Sequence, residues 1–546
     1  MDATDTVSSG TPPPTLNYDV LLNVVAQSES RRTGLTIMHT CRVLYHNGSR
    51  ILLREPIHLS TERGLLSFLY FLRGAPQSRP RHVRELLLHM SEIQPRLAQL
   101  FGRVCTCMKG LESLTMTSPE RFLGSDPGLV VGLAKLKSLT RLSLSYSGEQ
   151  TCTLLRLLHA PLKTISLHWG YEDYVVGKIF WETIDEDDWP ERHPTILLEN
   201  FADTLEELTC QWWYTCEDYI RPRKTFPRLQ HLIIEEVGMF YVAPYVQAFP
   251  NLAHISVHSC NDENTFRDEV DENVEDNHEL NVARQLLPAS VHGGTWEHMQ
   301  EFEGSFVDFY IFGLACHIPR LILNASCSTA SGYLPFLGET LSHTTPAYLN
   351  FTTRSDDECD GLKWLSTALR DMNIEARSRL KTLAVGFTFE CSRDVPDLAA
   401  AMEDFASAVE RTYVDGLQLR IVSYTPFHIT RDLDDSWTAA WNFSYDQGYD
   451  DADWDSDEES ARVVPMPSSR SEQDEGAPRK PPPPLTAEEQ MVEDFDVAAY
   501  TKGLVEALPS LRDVVVVVER PRNRGRRVAI LACDGSRMVE CFEYDK

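Results

Sequence analysis

Apolar residues recur along the chain in two rhythms. Near the start, in "TLNYDVLLNVV", Tyr18, Leu21, Leu22 and Val25 stand at i, i+3, i+4 and i+7, one face of a helix that Asn17 is placed to cap. A second helix is expected through "LTIMHTCRVLY", with Ile37, Cys41, Leu44 and Tyr45 on one side. A third, "SRILLRE", stops before Pro56. After the amphipathic stretch "GLLSFLYFLRGAP", the rhythm changes to Leu-x-x-Leu-x-Leu with conservative swaps. It appears as "VRELLL" from Val83, "LESLTM" from Leu111, "LTRLSL" from Leu139 and "LKTISL" from Leu162. It returns as "LEELTC" from Leu205, "LQHLII" from Leu229 and "LAHISV" from Leu252. The Leu-x-Leu portion alternates as a short strand with one buried face. Segments such as "DPGLVVGLAKLKS" and "TCTLLRLLHAP" supply the crossings between strands.

The steps between these runs are 28, 28, 23, 43, 24 and 23 residues, and all but one fall in the range of leucine-rich repeats. The long step holds the polar, aromatic insert "WGYEDYVVGKIFWETIDEDDWPERHP". One such unit cannot bury its apolar side, whereas stacked units share a continuous core and build a curved parallel sheet. An ordinary α/β domain with leucine-rich strands is the competing reading. Residues 261–286 interrupt the pattern with an acidic insert, read as a loop or a frayed helix. Irregular strands follow in "IPRLILNAS", "PAYLNFTT", "LKTLAVGF" and "LQLRIVSY", which carries the array to about residue 427.

The expected organisation is a disordered tail over 1–14, a small helical domain over 15–55 and a repeat solenoid over 56–427. An acidic, proline-rich disordered loop follows over 432–485, because its composition cannot bury enough surface to fold. Residues 486–546 read as a terminal helix and strands that cap the solenoid, with "LRDVVV" again fitting the repeat. The fold class is therefore α/β.

A net charge of −30 changes the functional picture, since phosphates repel such a surface; a general nucleic-acid binder or anionic-membrane binder is not expected. No apolar run is long enough to span a membrane, and the opening "MDATDTVSSG" does not read as a signal peptide. Thirteen cysteines without regular spacing read as reduced thiols, which points to the cytoplasm or the nucleus. The close pair Cys105 and Cys107 lacks a second pair at zinc-binding distance and reads as packing thiols.

Residues 15–55 resemble an F-box-like domain of the kind that precedes leucine-rich repeats in many fungal proteins. The matching stretches are "LNYDVLLNVV", "LTIMHTCRVLYHNGSRILL" and "EPIHL". The usual leucine-proline opening is here Leu16-Asn17, and the cysteine-arginine pair is present as Cys41-Arg42. The resemblance implies a substrate-recognition subunit of an SCF-type ubiquitin ligase. Such a subunit binds a Skp-type adaptor, and through it a cullin scaffold carrying a RING protein and a ubiquitin-conjugating enzyme. The repeats would hold an unidentified protein substrate, with the chain a monomer within that complex. By match to the motif, Leu16, Tyr18, Leu21, Leu22, Val25, Leu35 and Met38 are expected at or near the adaptor surface. The alternative use of these helices is a hydrophobic cap on the repeat array, in a leucine-rich-repeat interaction scaffold with no ubiquitin linkage.

Strand parity picks out a candidate substrate surface. With Leu142 and Leu144 inward, Arg141, Ser143 and Ser145 point outward. The same parity exposes His168, Glu207, Gln211, His231, Glu235, His254 and His258. His254 and His258 have i, i+4 spacing, but on a strand and without a preceding HExxH glutamate, so no metal is expected there. The basic turn "ERPRNRGRRV" is read as a partner for the chain's own acidic run at 450–459, as a site for an acidic peptide, or as a nuclear-import signal. No GxSxG elbow, phosphate loop or GxGxxG is present, and no catalytic residue or cofactor is expected.

Overall fold

The computed structural model describes residues 17–28, 31–169, 189–212, 220–235, 240–258, 267–287, 294–325, 332–355, 361–390, 398–424, 484–485, 487–531 and 539–545. The expected disordered tail, most of the aromatic insert and all but the end of the acidic, proline-rich loop lie outside these residues. The chain forms two compact units, 1–347 and 348–546.

The first unit opens with three helices, α1 (Tyr18–Ala26), α2 (Arg31–Met38) and α3 (Arg42–Leu52). The Asn17 side chain accepts from the Asp19 amide at 3.0 Å and caps α1 as its sequence suggests. Then come strand β1 (Ile57–Leu59) and helix α4 (Glu62–Arg73). Strand β2 is Glu85–Leu88, β3 is Ser113–Met116, β4 is Arg141–Leu144 and β5 is Thr164–His168. Strand β6 is Glu207–Gln211, β7 is His231–Glu235, β8 is His254–His258, β9 is Glu301–Ser305 and β10 is Arg320–Ala325. Each strand pairs in parallel with the next in sequence. The seven leucine runs of the sequence are β2 to β8.

One hydrogen-bond pattern repeats at every step from β2 to β9. The carbonyl just before a strand accepts two successive amides from the next repeat: Glu112 and Ser113 on Arg84 at 2.8 and 3.0 Å, Lys163 and Thr164 on Thr140 at 2.8 and 3.1 Å. It continues with Glu206 and Glu207 on Lys163, His254 and Ala253 on Gln230, and Gln300 and Glu301 on Ala253. Both lone pairs of that oxygen are used, and the strands are held without stagger.

The strands bury alternate residues; Leu142, Leu144, Ile165, Leu167, Leu208, Leu232 and Ile255 are all sealed. Helical crossings cover that side, with edge-to-face aromatic pairs such as Phe101–Phe122 and Phe226–Phe249 filling the core. Glycine sets the spacing of two crossings. A Cβ on Gly132, in helix Pro127–Leu133, would lie 2.6 Å from the carbonyl oxygen of Gly102 in helix Pro95–Cys105.

The acidic insert resolves into helix Arg267–Leu286 over its described part. Polar side chains anchor it. The Asn281 amide donates to the carbonyls of Phe240 and Ile311, both at 2.8 Å, and its oxygen accepts from the Val242 amide at 2.9 Å. Gln285 donates to Phe312 and Gly313 at 2.8 and 3.0 Å.

The second unit carries β11 (Tyr348–Ser355), β12 (Thr382–Glu390), β13 (Gly416–Tyr424) and β14 (Asp513–Glu519), parallel in that order. Strands β15 (Gly525–Leu531) and β16 (Val539–Asp545) then add antiparallel. Helix Val497–Ala507 packs beneath this end, burying Leu504 and Val505.

The helix spacing gives a direct test. Gly132→Ala pushes a methyl group into a backbone carbonyl and should cost about 1–3 kcal/mol in urea unfolding. Gly124→Ala, with nothing within 4 Å of the new carbon, should cost nothing measurable.

Candidate functional site

Two surfaces of the first unit present chemistry to solvent. The first is the helical opening. Val25, Met38 and Leu52 form a buried cluster, with Ile37, Tyr45 and Ile51 packed around it. Gly48 admits the Met38 side chain, since a Cβ there would lie 2.6 Å from Met38 Cγ. This corrects the expected adaptor surface: Val25 and Met38 are each 1% exposed and hold the three helices together. Leu21 and Leu22 are half-buried, because the i, i+3, i+4, i+7 stripe is the inner face of α1. Tyr18 and Leu35 are exposed, and Leu16 lies outside the described residues.

The exposed apolar residues of α1 are Tyr18, Val20 and Val24, at 47, 56 and 47% exposure, joined by Leu35 and Val43 on the next two helices. Val20 and Val24 were missed from sequence, although their own i, i+4 spacing marks a second stripe. Below them opens a cleft of about 550 Å³, lined by Leu35, Met38, Tyr45, Leu53, Phe68 and Phe71 among others. Arg79 closes one side of this region. Its guanidinium lies over the Tyr45 and Phe71 rings at 4.4 and 4.2 Å and donates to the Phe71 carbonyl at 2.6 Å.

The second surface is the outward face of β4 to β8. Its residues line up in rows across the strands. Arg141, Thr164, Glu207, His231, His254 and Glu301 share one row. Ser143, Ser166, Thr209, Ile233 and Ser256 share the next. His168, Gln211, Glu235 and His258 form the third. Arg141, His231 and His258 are exposed; Ser143, His168, Glu207, Gln211, Glu235 and His254 are half-buried. Of the ten residues expected on this face, nine lie on its strands, and Ser145 follows the end of β4.

In the first row the His231 and His254 rings stack, with centroids 4.4 Å apart and planes 3° from parallel. Burial lowers the pKa of His254, a charge on His231 lowers it further, and Glu301 opposes both. Arg141 approaches Glu85 at 3.9 Å, and Arg320 pairs with Glu301 at 2.8 Å. His258 Nε2 lies 3.1 Å from Ser256 Oγ. Being four residues apart on a strand, His254 and His258 are separated by about 13 Å, too far to share a metal ion. Among the described residues no group of three or more His, Cys, Asp or Glu side chains could hold one.

Among the described cysteines, Cys105, Cys152, Cys210 and Cys316 are buried, Cys41 is half-buried and Cys541 is exposed. Burial raises the pKa of Cys105 and Cys210 and pushes Cys152 up to about 12, so none is a thiolate near neutral pH. Cys107 is exposed.

In the second unit, β11 to β14 line a trough of about 530 Å³, with Asn350, Ala384, Gly386 and Gln418 among its lining residues. The basic turn is engaged by a neighbouring acidic helix. Arg520 pairs with Glu493 at 2.5 Å and Arg522 with the fully buried Glu489 at 2.6 Å, both on helix Ala487–Asp494. The hydrogen bond from Arg520 holds the Glu493 carboxyl below the usual range. Arg527 donates to the Val492 carbonyl at 2.6 Å, and Arg526 lies over the Tyr544 ring at 5.0 Å. The acidic run at 450–459 lies outside the described residues. Folding brings the nearer acidic helix against the turn.

No protein-family model matches the chain, and no curated protein matches it. No helix among the described residues is long and apolar enough to cross a membrane.

The histidine stack can be followed by proton NMR. His231→Ala removes both a neighbouring charge and a covering ring, so the pKa of His254 should rise toward 6.5; Glu301→Gln should lower it further.

Proposed function

We propose that the chain is the substrate-recognition subunit of an SCF-type ubiquitin ligase. In this reading α1 to α3 act as an F-box-like domain on a Skp-type adaptor, and the strands form a leucine-rich-repeat solenoid that holds a protein substrate on its outward sheet face. The chemistry belongs to the other subunits. This chain supplies proximity, raising the effective concentration of substrate lysines near the conjugating enzyme. The observation that carries the reading is that the three short opening helices leave five apolar side chains in solvent: Tyr18, Val20, Val24, Leu35 and Val43. Apolar surface left uncovered on a small domain marks an interaction surface. The helical opening ahead of a strand-per-repeat array adds to it.

A second reading, a repeat scaffold with no ubiquitin linkage, draws on a different observation. Arg79 ties α3 to α4 through Tyr45 and Phe71, which is how an end-cap would be seated. The two readings assign the same fold and differ in what the opening helices touch.

Co-purification with a recombinant Skp-type adaptor separates them. The wild-type chain should be retained, and Val20→Asp with Val24→Asp should lose retention at least about tenfold with an unchanged unfolding midpoint, since both side chains are exposed. Failure of the wild type to retain adaptor, where a known F-box protein does, rejects the ligase reading.

A further inference from the structure

The charge of the chain is unevenly distributed. Residues 31–84 hold ten arginines and only two carboxylates, Glu55 and Glu62. This span therefore contributes +8 to a total of −30, and the rest of the chain carries −38. The whole-chain balance hid this; a running charge count over the first hundred residues would have found it.

The fold concentrates part of that charge. Arg50 lies in the last turn of α3, Arg54 just beyond it, and Arg81 in the short 3-10 turn Pro80–His82. Arg79 fastens that turn to α3 by donating to Tyr45 Oη at 3.3 Å, and to α4 through the Phe71 carbonyl. His82 sits among the resulting charges: burial and then Arg81, Arg50, Arg54 and Arg84 lower its pKa. The charge of Arg84 is answered by Glu112 at 2.7 Å. Arg50, Arg54 and Arg81 are exposed and have no ion pair among the described residues. Of the two carboxylates in the span, Glu62 accepts a hydrogen bond from the Gln94 amide and lies on α4, while Glu55 follows Arg54 in the chain without an ion pair among the described residues.

Like charges left together destabilise a fold unless something neutralises them. A chain with 81 carboxylates had ample means of doing so internally. We propose that Arg50, Arg54 and Arg81 form a docking patch for a short segment of a partner protein rich in aspartate and glutamate. The surrounding charge selects that occupant. A nucleic acid or an anionic membrane carries its charge well beyond a patch of this size and meets the −38 of the remaining chain. A short acidic peptide places its charge on the arginines alone, where guanidinium groups pair bidentately with carboxylates. The patch needs no F-box function and stands whether or not the opening helices bind an adaptor.

Fluorescence anisotropy of a labelled decaglutamate peptide with the full chain, adaptor absent, tests it. The wild type should bind, more weakly as salt is raised. Arg50→Gln, Arg54→Gln and Arg81→Gln together should weaken binding at least about tenfold, and the triple Lys variant should stay within about threefold of wild type. A common unfolding midpoint shows that all are folded, and the Gln side chains are chosen to leave these exposed positions unstrained. Absence of binding by the wild type, undiminished binding by the Gln variant, or tighter binding of a decauridine RNA or of phosphatidylserine vesicles than of the peptide would each overturn the assignment.

Discussion

A single carbonyl oxygen ahead of each of β2 to β8, accepting two amides from the next repeat, sets the geometry on which the first unit depends. Because both lone pairs are used at the same place in each step from β2 to β9, these neighbouring strands are held against slipping relative to one another. A slip of one residue would turn the leucines out and the polar residues in. Instead the leucines stay on the covered side and the outward residues fall into straight rows, with Arg141, Glu207, His231 and His254 side by side. The surface offered for binding is therefore a consequence of backbone register and needs no dedicated loop.

The molecule divides its charge and its apolar surface between different places. The outward sheet face is mixed and polar, with paired histidines and ion pairs at its edges. The opening helices leave Tyr18, Val20, Val24, Leu35 and Val43 in solvent, and α2 and α3 lie within the basic span 31–84 of an acidic chain. Such a division suits a protein with two separate contacts, one apolar and one polar, each engaging without competing for the other. In the proposed ligase reading these are adaptor and substrate.

Much of this was legible in the sequence, for a physical reason. Leu-x-Leu spacing reports burial on one side of a strand, so β2 to β8 and the parity of their outward residues could be read directly. That the chain opens with three helices was also legible, but not their bounds: the helix expected through Leu35–Tyr45 breaks between Met38 and Arg42, and "SRILLRE" begins inside α3 instead of forming a helix of its own. Along the stripe from Tyr18 to Val25 exposure falls from an exposed Tyr18 to a buried Val25, because Met38 and Leu52 of α2 and α3 cover its far end, and local periodicity does not report tertiary partners. Helix Arg267–Leu286 was left open between loop and helix because its anchors are Asn281 and Gln285, whose hydrogen bonds leave no hydrophobic pattern. The part of Glu489 and Glu493 in holding Arg522 and Arg520 was not read from the sequence, because an ion pair across about thirty residues leaves no periodic pattern; the acidic run at 450–459 lies outside the described residues.

The central claim is that the opening helices and the sheet face serve different partners. Hydrogen exchange of the full chain, alone and saturated with a purified Skp-type adaptor, measures this most directly. The account predicts slowed exchange confined to the helical opening, over 18–38, with β4 to β8 unchanged. Slowing across β4 to β8 with none in the helices would contradict it.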